Sequence, residues 1–157
     1  MTRTRPVGHR ARLATVGELS RDECLALLAS AAVGRMVFTA SALPAVVPVT
    51  FALDGGAAVC QTASKSRLAR AADGGVLALQ TDEVDVVTRS GWSVIATGRA
   101  EVLHDPVQVR RVAALVEPWV PGPADIAIRL PLTVVTGRRI TGPTSQDLAG
   151  VAGRPRD

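Results

Sequence analysis

Six consecutive residues, Thr62-Ala63-Ser64-Lys65-Ser66-Arg67, bring three hydroxyls and two cations to the point where a strand pattern gives way to a helix pattern. Hydroxyls, helix-start N–H groups and positive side chains on one loop are what a phosphate dianion requires. The same residues fit a plain serine N-cap with Lys65 and Arg67 exposed on the first turn. Cations are mildly unfavourable at a helix N-terminus, so their presence argues for a nearby anion. Both readings stand at this level.

Pro48 sits in the middle of a second strand pattern, Ala45 to Leu53. Proline cannot donate to a ladder and marks an edge or a bulge. The backbone groups around Val47, Val49 and Thr50 would then be open to a flat heterocycle, or simply to solvent. A third stretch, Trp92 to Glu101, is a long strand pattern interrupted by Gly98, where a side chain would obstruct a close approach.

Other chemistries lack their residues. His9 and His104 have no metal-ligand spacing, and Cys24 and Cys60 have no ligand neighbour, so no metal or haem-type site is expected. No GxSxG, Walker or GxGxxG pattern is present. Asp82, Glu83 and Asp85 cluster in what reads as a polar connection, Asp82 to Gly91, and are expected to be solvated.

The elements that position these residues follow from periodicity and punctuation. Ser20 and Glu23 form a capping box ahead of a helix over Arg21 to Ala31. Strands are expected at Val33–Thr39, with a bulge near Gly34, and at Ala45–Leu53. Asp54-Gly55-Gly56 is a hairpin signal, returning through Ala57–Thr62. A short helix over Lys65–Ala72, a strand at Val76–Thr81, the long strand Trp92–Leu103 and a helix opened by Asp105-Pro106 come next. Pro118 to Pro123 breaks the chain, and Leu132–Ile140 is the last strand. Six strands and three helices argue for a closed or nearly closed antiparallel barrel with helical covers.

The chain has 157 residues, enough for one domain. Its aromatics are Phe38, Phe51, Trp92 and Trp119, so the core must be aliphatic and base-stacking surface is scarce. Residues 18–142 carry twelve basic and twelve acidic side chains, and the net charge of +4 comes from Arg3, Arg5, Arg10 and Arg12. The chain therefore divides into a flexible basic leader (1–17), a neutral domain (18–142) and a loose Gly- and Pro-rich tail (143–157). Nucleic acid is an unexpected partner, and no membrane span or secretory signal is apparent. A cytoplasmic location is the expectation.

The order Ser20…Glu23…Gly34-Arg35, Pro44…Val47-Pro48-Val49, Asp54-Gly55-Gly56, Thr62…Ser64-Lys65, Gly91-Trp92-Ser93-Val94, Gly98-Arg99-Ala100 resembles the pyridoxamine 5′-phosphate oxidase-like, flavin-binding split-barrel proteins, and their small actinobacterial-type members most of all. The resemblance spans about residues 18–140. It implies a mainly β fold with helices, a six-stranded antiparallel split β-barrel, forming a homodimer with FMN at the interface. Val47, Pro48, Val49 and Thr50 would line the isoalloxazine through backbone groups. Thr62, Ser64, Lys65 and Arg67 would hold the phosphate, and Trp92 and Ser93 would approach from the partner subunit. The implied activity is an FMN-dependent oxidoreductase acting on a small molecule. A deazaflavin-dependent reductase and a non-enzymatic flavin-binding or regulatory dimer are the alternatives. In the oxidase itself an adjacent Arg-Lys pair precedes the helix, whereas here Ser66 separates Lys65 from Arg67.

Overall fold

The structure, a computed structural model, describes residues 14–143. In chain order the elements are β1 (Thr15–Glu18), α1 (Arg21–Ser30), β2 (Val33–Ala40), β3 (Leu43–Thr50), β4 (Ala52–Asp54), β5 (Ala57–Thr62), α2 (Arg67–Ala72), β6 (Val76–Asp85), β7 (Ser90–Arg99), β8 (Glu101–Leu103), α3 (Pro106–Leu115), β9 (Ile126–Pro131) and β10 (Val134–Thr141). Two antiparallel sheets result, one ordered β1-β10-β7-β6-β2-β3 and the other β4-β5-β9-β8.

Three chain segments run through both sheets and make the barrel's corners: β3 into β4 at Phe51, β7 into β8 at Ala100, and β9 into β10 at Leu132-Thr133. At each corner the turning residue is buried. Its N–H keeps the register of the strand pairing that it ends: Phe51 donates to Ala32 at 3.2 Å, Ala100 to Gly75 at 2.8 Å, and Leu132 to Gly56 at 3.1 Å. Bending the strand therefore costs no orphaned donor.

Between the sheets lies an aliphatic core in which Leu28, Met36, Leu77, Leu79, Ile128 and Leu130 are essentially inaccessible. Burying each such side chain contributes roughly 1.5–3 kcal/mol. Cys24 and Cys60 are free and buried within this core. Burial pushes the Cys60 thiol up to about 12 and raises Cys24 as well, so neither is a thiolate.

Helix α1 begins with the expected capping box: the Ser20 hydroxyl accepts from the Glu23 N–H, and the Glu23 carboxylate accepts from the Ser20 N–H at 2.8 Å. Asp105 caps α3, with Pro106 in its first turn. Asp54 and Ala57 pair across Gly55 and Gly56, both at positive φ, as a hairpin needs.

Four features differ from the sequence expectation. No bulge interrupts β2: it pairs with β3 from Val33↔Thr50 to Ala40↔Leu43 without a skipped residue. Gly34 instead faces inward with Met36 and Phe38, where a Cβ would stand 2.6 Å from Leu79 Cδ1. The acids Asp82, Glu83 and Asp85 lie on β6 rather than in a loop, because β6 and β7 pair as far as Asp85↔Ser90. Strand β9 fills the gap between the proline-rich break and Leu132. Finally, Thr15, Val16 and Gly17 of the expected leader form β1, paired with β10. Residues 1–13, with the four leader arginines, and residues 144–157 of the expected tail lie outside the described residues.

The outer face of the six-stranded sheet mixes apolar side chains with polar ones such as Arg35, Gln80 and Asp82. Val16, Val46, Val76, Val84, Ile95 and Val134 all project from it and are 41–64% exposed. No helix among the described residues is long and apolar enough to cross a membrane.

Candidate functional site

Strand β3 is one edge of the larger sheet, opposite β1. A two-residue turn, Ser41-Ala42, joins it to β2, with both residues at positive φ (52° and 62°). Such a turn makes the closing pair Ala40–Leu43 hydrogen-bonded, and pairs then alternate along the ladder. The Phe51 N–H bond to Ala32 falls where this alternation demands it. Val47 and Val49 are therefore bonded to β2, and their side chains pack on the core. Pro44, Val46, Pro48 and Thr50 direct their backbone groups away from the sheet. The open edge thus presents four carbonyls but only two N–H donors, those of Val46 and Thr50. Both prolines occupy positions where a missing N–H breaks no ladder bond.

The Thr62–Arg67 loop is built differently from a helix start at Lys65. Ser66, not Ser64, caps α2, its hydroxyl accepting from the Ala69 N–H at 2.9 Å. Thr62 Oγ1 donates to Ser66 Oγ at 3.0 Å. Ser64 points the other way and donates twice to Asp125, from its N–H at 2.7 Å and its hydroxyl at 2.6 Å. These bonds hold the Asp125 carboxyl below its ordinary range, with a smaller contribution from Lys65. A carboxylate of the chain itself thus occupies the Ser64 donors. Lys65 and Arg67 remain exposed and in no ion pair among the described residues.

Arg67 is joined by a residue the sequence reading did not single out. Arg70 lies three positions on along α2, and the two arginines share a cleft of about 260 Å³ with Thr39, Ala40, Ser41 and Ala71. Arg70 Nη1 also donates to the Lys65 carbonyl at 2.8 Å. The spacing of three along a helix was the available signal for Arg70. Nothing in the local sequence pointed to Asp125. This cleft brings the α2 cations to the hairpin end of the β3 edge.

Trp92 and Ser93 are neighbours on β7 and so face opposite ways. Ser93 is on the outer face and opens onto a groove of about 540 Å³ between β7, β10 and β1. Trp92 shares the inward face with Val94 and Ala96 and lines a cavity of about 410 Å³ at the barrel's end. On the outer face, Arg35 lies opposite both Pro48 and Gln80. Its guanidinium donates to Asp82 at 2.6 Å and to Gln80 at 3.1 Å. Within one chain β3 and β7 are three strand spacings apart, about 14 Å. Among the described residues no cluster of His, Cys, Asp and Glu could hold a metal.

Comparison with known proteins gives this architecture its class. Residues 20–139 match the model of a protein family described as pyridoxamine 5′-phosphate oxidase. The chain is 42% identical over 130 residues to an uncharacterized protein of Mycobacterium tuberculosis, Rv0080, covering 80% of this chain and 86% of that one. Among solved structures it is similar to the FAD binding protein from Mycobacterium smegmatis, with 30% identity, a TM-score of 0.64, and 79% and 97% of the two chains covered. A FAD-binding protein from Mesorhizobium loti shares the fold at 23% identity and a TM-score of 0.66, over 82% and 98% of the chains. The two corner-joined sheets are the split barrel of this group. The chain belongs to the pyridoxamine 5′-phosphate oxidase family.

Proposed function

We propose that the chain is a flavin-dependent oxidoreductase that acts on a small molecule as a homodimer, with FMN held between two copies. The observation that carries the reading is the β3 edge with its cationic end. Four outward carbonyls and two outward N–H groups offer in-plane partners to a donor- and acceptor-bearing ring. At the hairpin end of that edge Arg67 and Arg70 line one cleft, and Lys65 is exposed beside them. A ring along the edge and a phosphate at the α2 cations fit one phosphorylated flavin.

The proposed contacts are the outward backbone of Pro48 and Thr50, with Val47 and Val49 holding that edge flat against β2. Lys65 and Arg67 supply charge to the phosphate, flanked by Thr62 and Ser64. The second copy follows from two features. The outer sheet face leaves Val16, Val46, Val76, Val84, Ile95 and Val134 exposed, side chains that a second copy would cover. Ser93 is also too far from β3 in its own chain to meet the same ring, so it would serve the partner's flavin. Trp92, on the opposite face of β7, would reach that flavin only from the barrel's end. When bound, the flavin supplies the redox chemistry; the protein binds, orients and excludes water.

Titrating the purified protein with FMN, FAD, riboflavin and a deazaflavin, followed by absorbance and fluorescence, tests the reading. Losing a charge-assisted hydrogen bond costs about 1.5–3 kcal/mol. Lys65→Ala should therefore weaken FMN about ten- to hundredfold and leave riboflavin unchanged. Full FMN affinity in that variant would sink the phosphate assignment. Response to the deazaflavin alone would replace FMN as cofactor, and a monomeric mass in the flavin-bound state would remove the shared site.

A further inference from the structure

Of the residues lining the cavity at the barrel's end, the flavin reading uses only Trp92 and gives Glu83 and Arg139 no role. Three residues stand in register across three neighbouring strands: Glu83 on β6 opposite Trp92 on β7, and Trp92 opposite Arg139 on β10. All three continue the inward face of their strands beyond the core, past Thr81, Val94 and Gly137. They line the same cavity of about 410 Å³. The end members are two strand spacings apart, roughly 10 Å, with the indole between them.

Among the described residues neither charged group is occupied. Among the described residues Glu83 and Arg139 make no ion pair and both are exposed. The other acid of the cavity, Asp85, is committed to its own turn, accepting from the Val87 and Thr88 N–H groups at 2.8 and 3.1 Å. Glu23 lies within electrostatic reach of Arg139, but its carboxylate is bound to Ser20 in the α1 capping box. Beyond Arg139 its partner on β1 is Gly17, where a Cβ would meet nothing within 4 Å. Among the described residues the row is therefore open at its cationic end.

A carboxylate, an aromatic face and a guanidinium in line select one kind of ligand. The indole offers a flat π surface that attracts a cation. The guanidinium pairs with a carboxylate in a planar fork. The lone carboxylate favours positive charge at the opposite end. We propose that the Glu83–Trp92–Arg139 row is a binding site for a planar heteroaromatic zwitterion, with Trp92 serving this ligand rather than the flavin. The cationic ring would lie on the Trp92 indole with its positive side toward Glu83 and its carboxylate toward Arg139. The cavity is within the range of small-molecule sites.

Only two tryptophans are present, and Trp119 is 67% exposed in the connection before β9. Trp119→Phe therefore leaves Trp92 as the sole indole reporter. The probe is N-methylnicotinate, a pyridinium carboxylate, titrated without flavin against the emission of that variant. The expected result is a saturable change with Kd on the order of 1 mM. Glu83→Gln and Arg139→Gln should each weaken it about tenfold, with far-UV circular dichroism unchanged. Neutral nicotinamide should bind more weakly than the zwitterion. A linear, non-saturating loss of emission is collisional quenching and would overturn the proposal. So would a response that neither variant alters, or one abolished by stoichiometric FMN, which would assign the cavity to the flavin. A saturable signal in a chain that binds no flavin would defeat the flavin reading and leave this one standing.

Discussion

Gly98→Ala should destabilise the barrel by about 2 kcal/mol. Gly98 is buried on β7 where that strand passes β9, and an added Cβ would overlap the carbonyl oxygen of Pro131. The obstacle is backbone, held by the β5–β9 ladder that ends at Ala57↔Pro131, so no side chain can swing aside. Overpacking a tight site costs about 1–3 kcal/mol, and rigid backbone puts this case near the top of that range. Replacing Gly by Ala in a strand returns about 0.5–1 kcal/mol of chain entropy, which leaves roughly 2 kcal/mol. For a domain of this size that lowers the thermal midpoint by roughly 6–8 °C. The assay is thermal and urea unfolding at fixed protein concentration, because the midpoint of any self-associating chain depends on it. Gly17→Ala is the control: a Cβ there meets nothing within 4 Å, so it should be neutral or slightly stabilising. If the two variants unfold alike, close approach at the corner is not what Gly98 provides.

Among the described residues the hydroxyl of Thr81 is buried with no hydrogen-bond partner. Thr81→Val removes that unsatisfied group at constant shape and should raise stability by about 1 kcal/mol, read as a higher urea midpoint at unchanged slope. A less stable variant would mean that the hydroxyl has a partner, such as a bound water. Asp125 gives a pH prediction. Its folded carboxyl titrates below the ordinary 3.8 because Ser64 donates to it, so the tie contributes fully above that value and is lost as pH falls through the folded value. Asp125→Asn should flatten that part of the stability profile, measured from about pH 5 to about pH 2. An unchanged profile would show that the Ser64–Asp125 bonds do not persist in solution.

The sequence carried the elements whose ends have side-chain chemistry. Ser20 with Glu23, Asp105 with Pro106, and Asp54-Gly55-Gly56 each name a boundary because a specific group satisfies a specific orphan there. The turn Ser41-Ala42 has no Gly or Asn to announce its positive φ, so the second strand was read as beginning at Ala45 rather than Leu43. Strand β9, Ile-Ala-Ile-Arg-Leu-Pro, lies between neighbours with four of its six residues buried, so it lacks the alternation that marks a half-exposed strand. Corners at Phe51 and Ala100 are invisible to periodicity, since the strand pattern runs straight through them. At the candidate site, Lys65 and Arg67 were legible as local chemistry. Asp125 was not, because its bond to Ser64 spans 61 residues and only the fold brings the two together.

The alternation along β3 has a consequence for how the chain avoids its own copies while folding. An unpaired edge strand is a template for strand addition, and runaway addition is aggregation. Pro44 and Pro48 remove every second outward donor from this edge. An incoming strand would find acceptors in regular order but donors at twice the spacing it needs, so a continuous ladder cannot form. A compact ring needs only a few contacts at one place and is not penalised by the gaps. The same two prolines would thus keep the edge open to a ligand and closed to another polypeptide from the moment the hairpin forms.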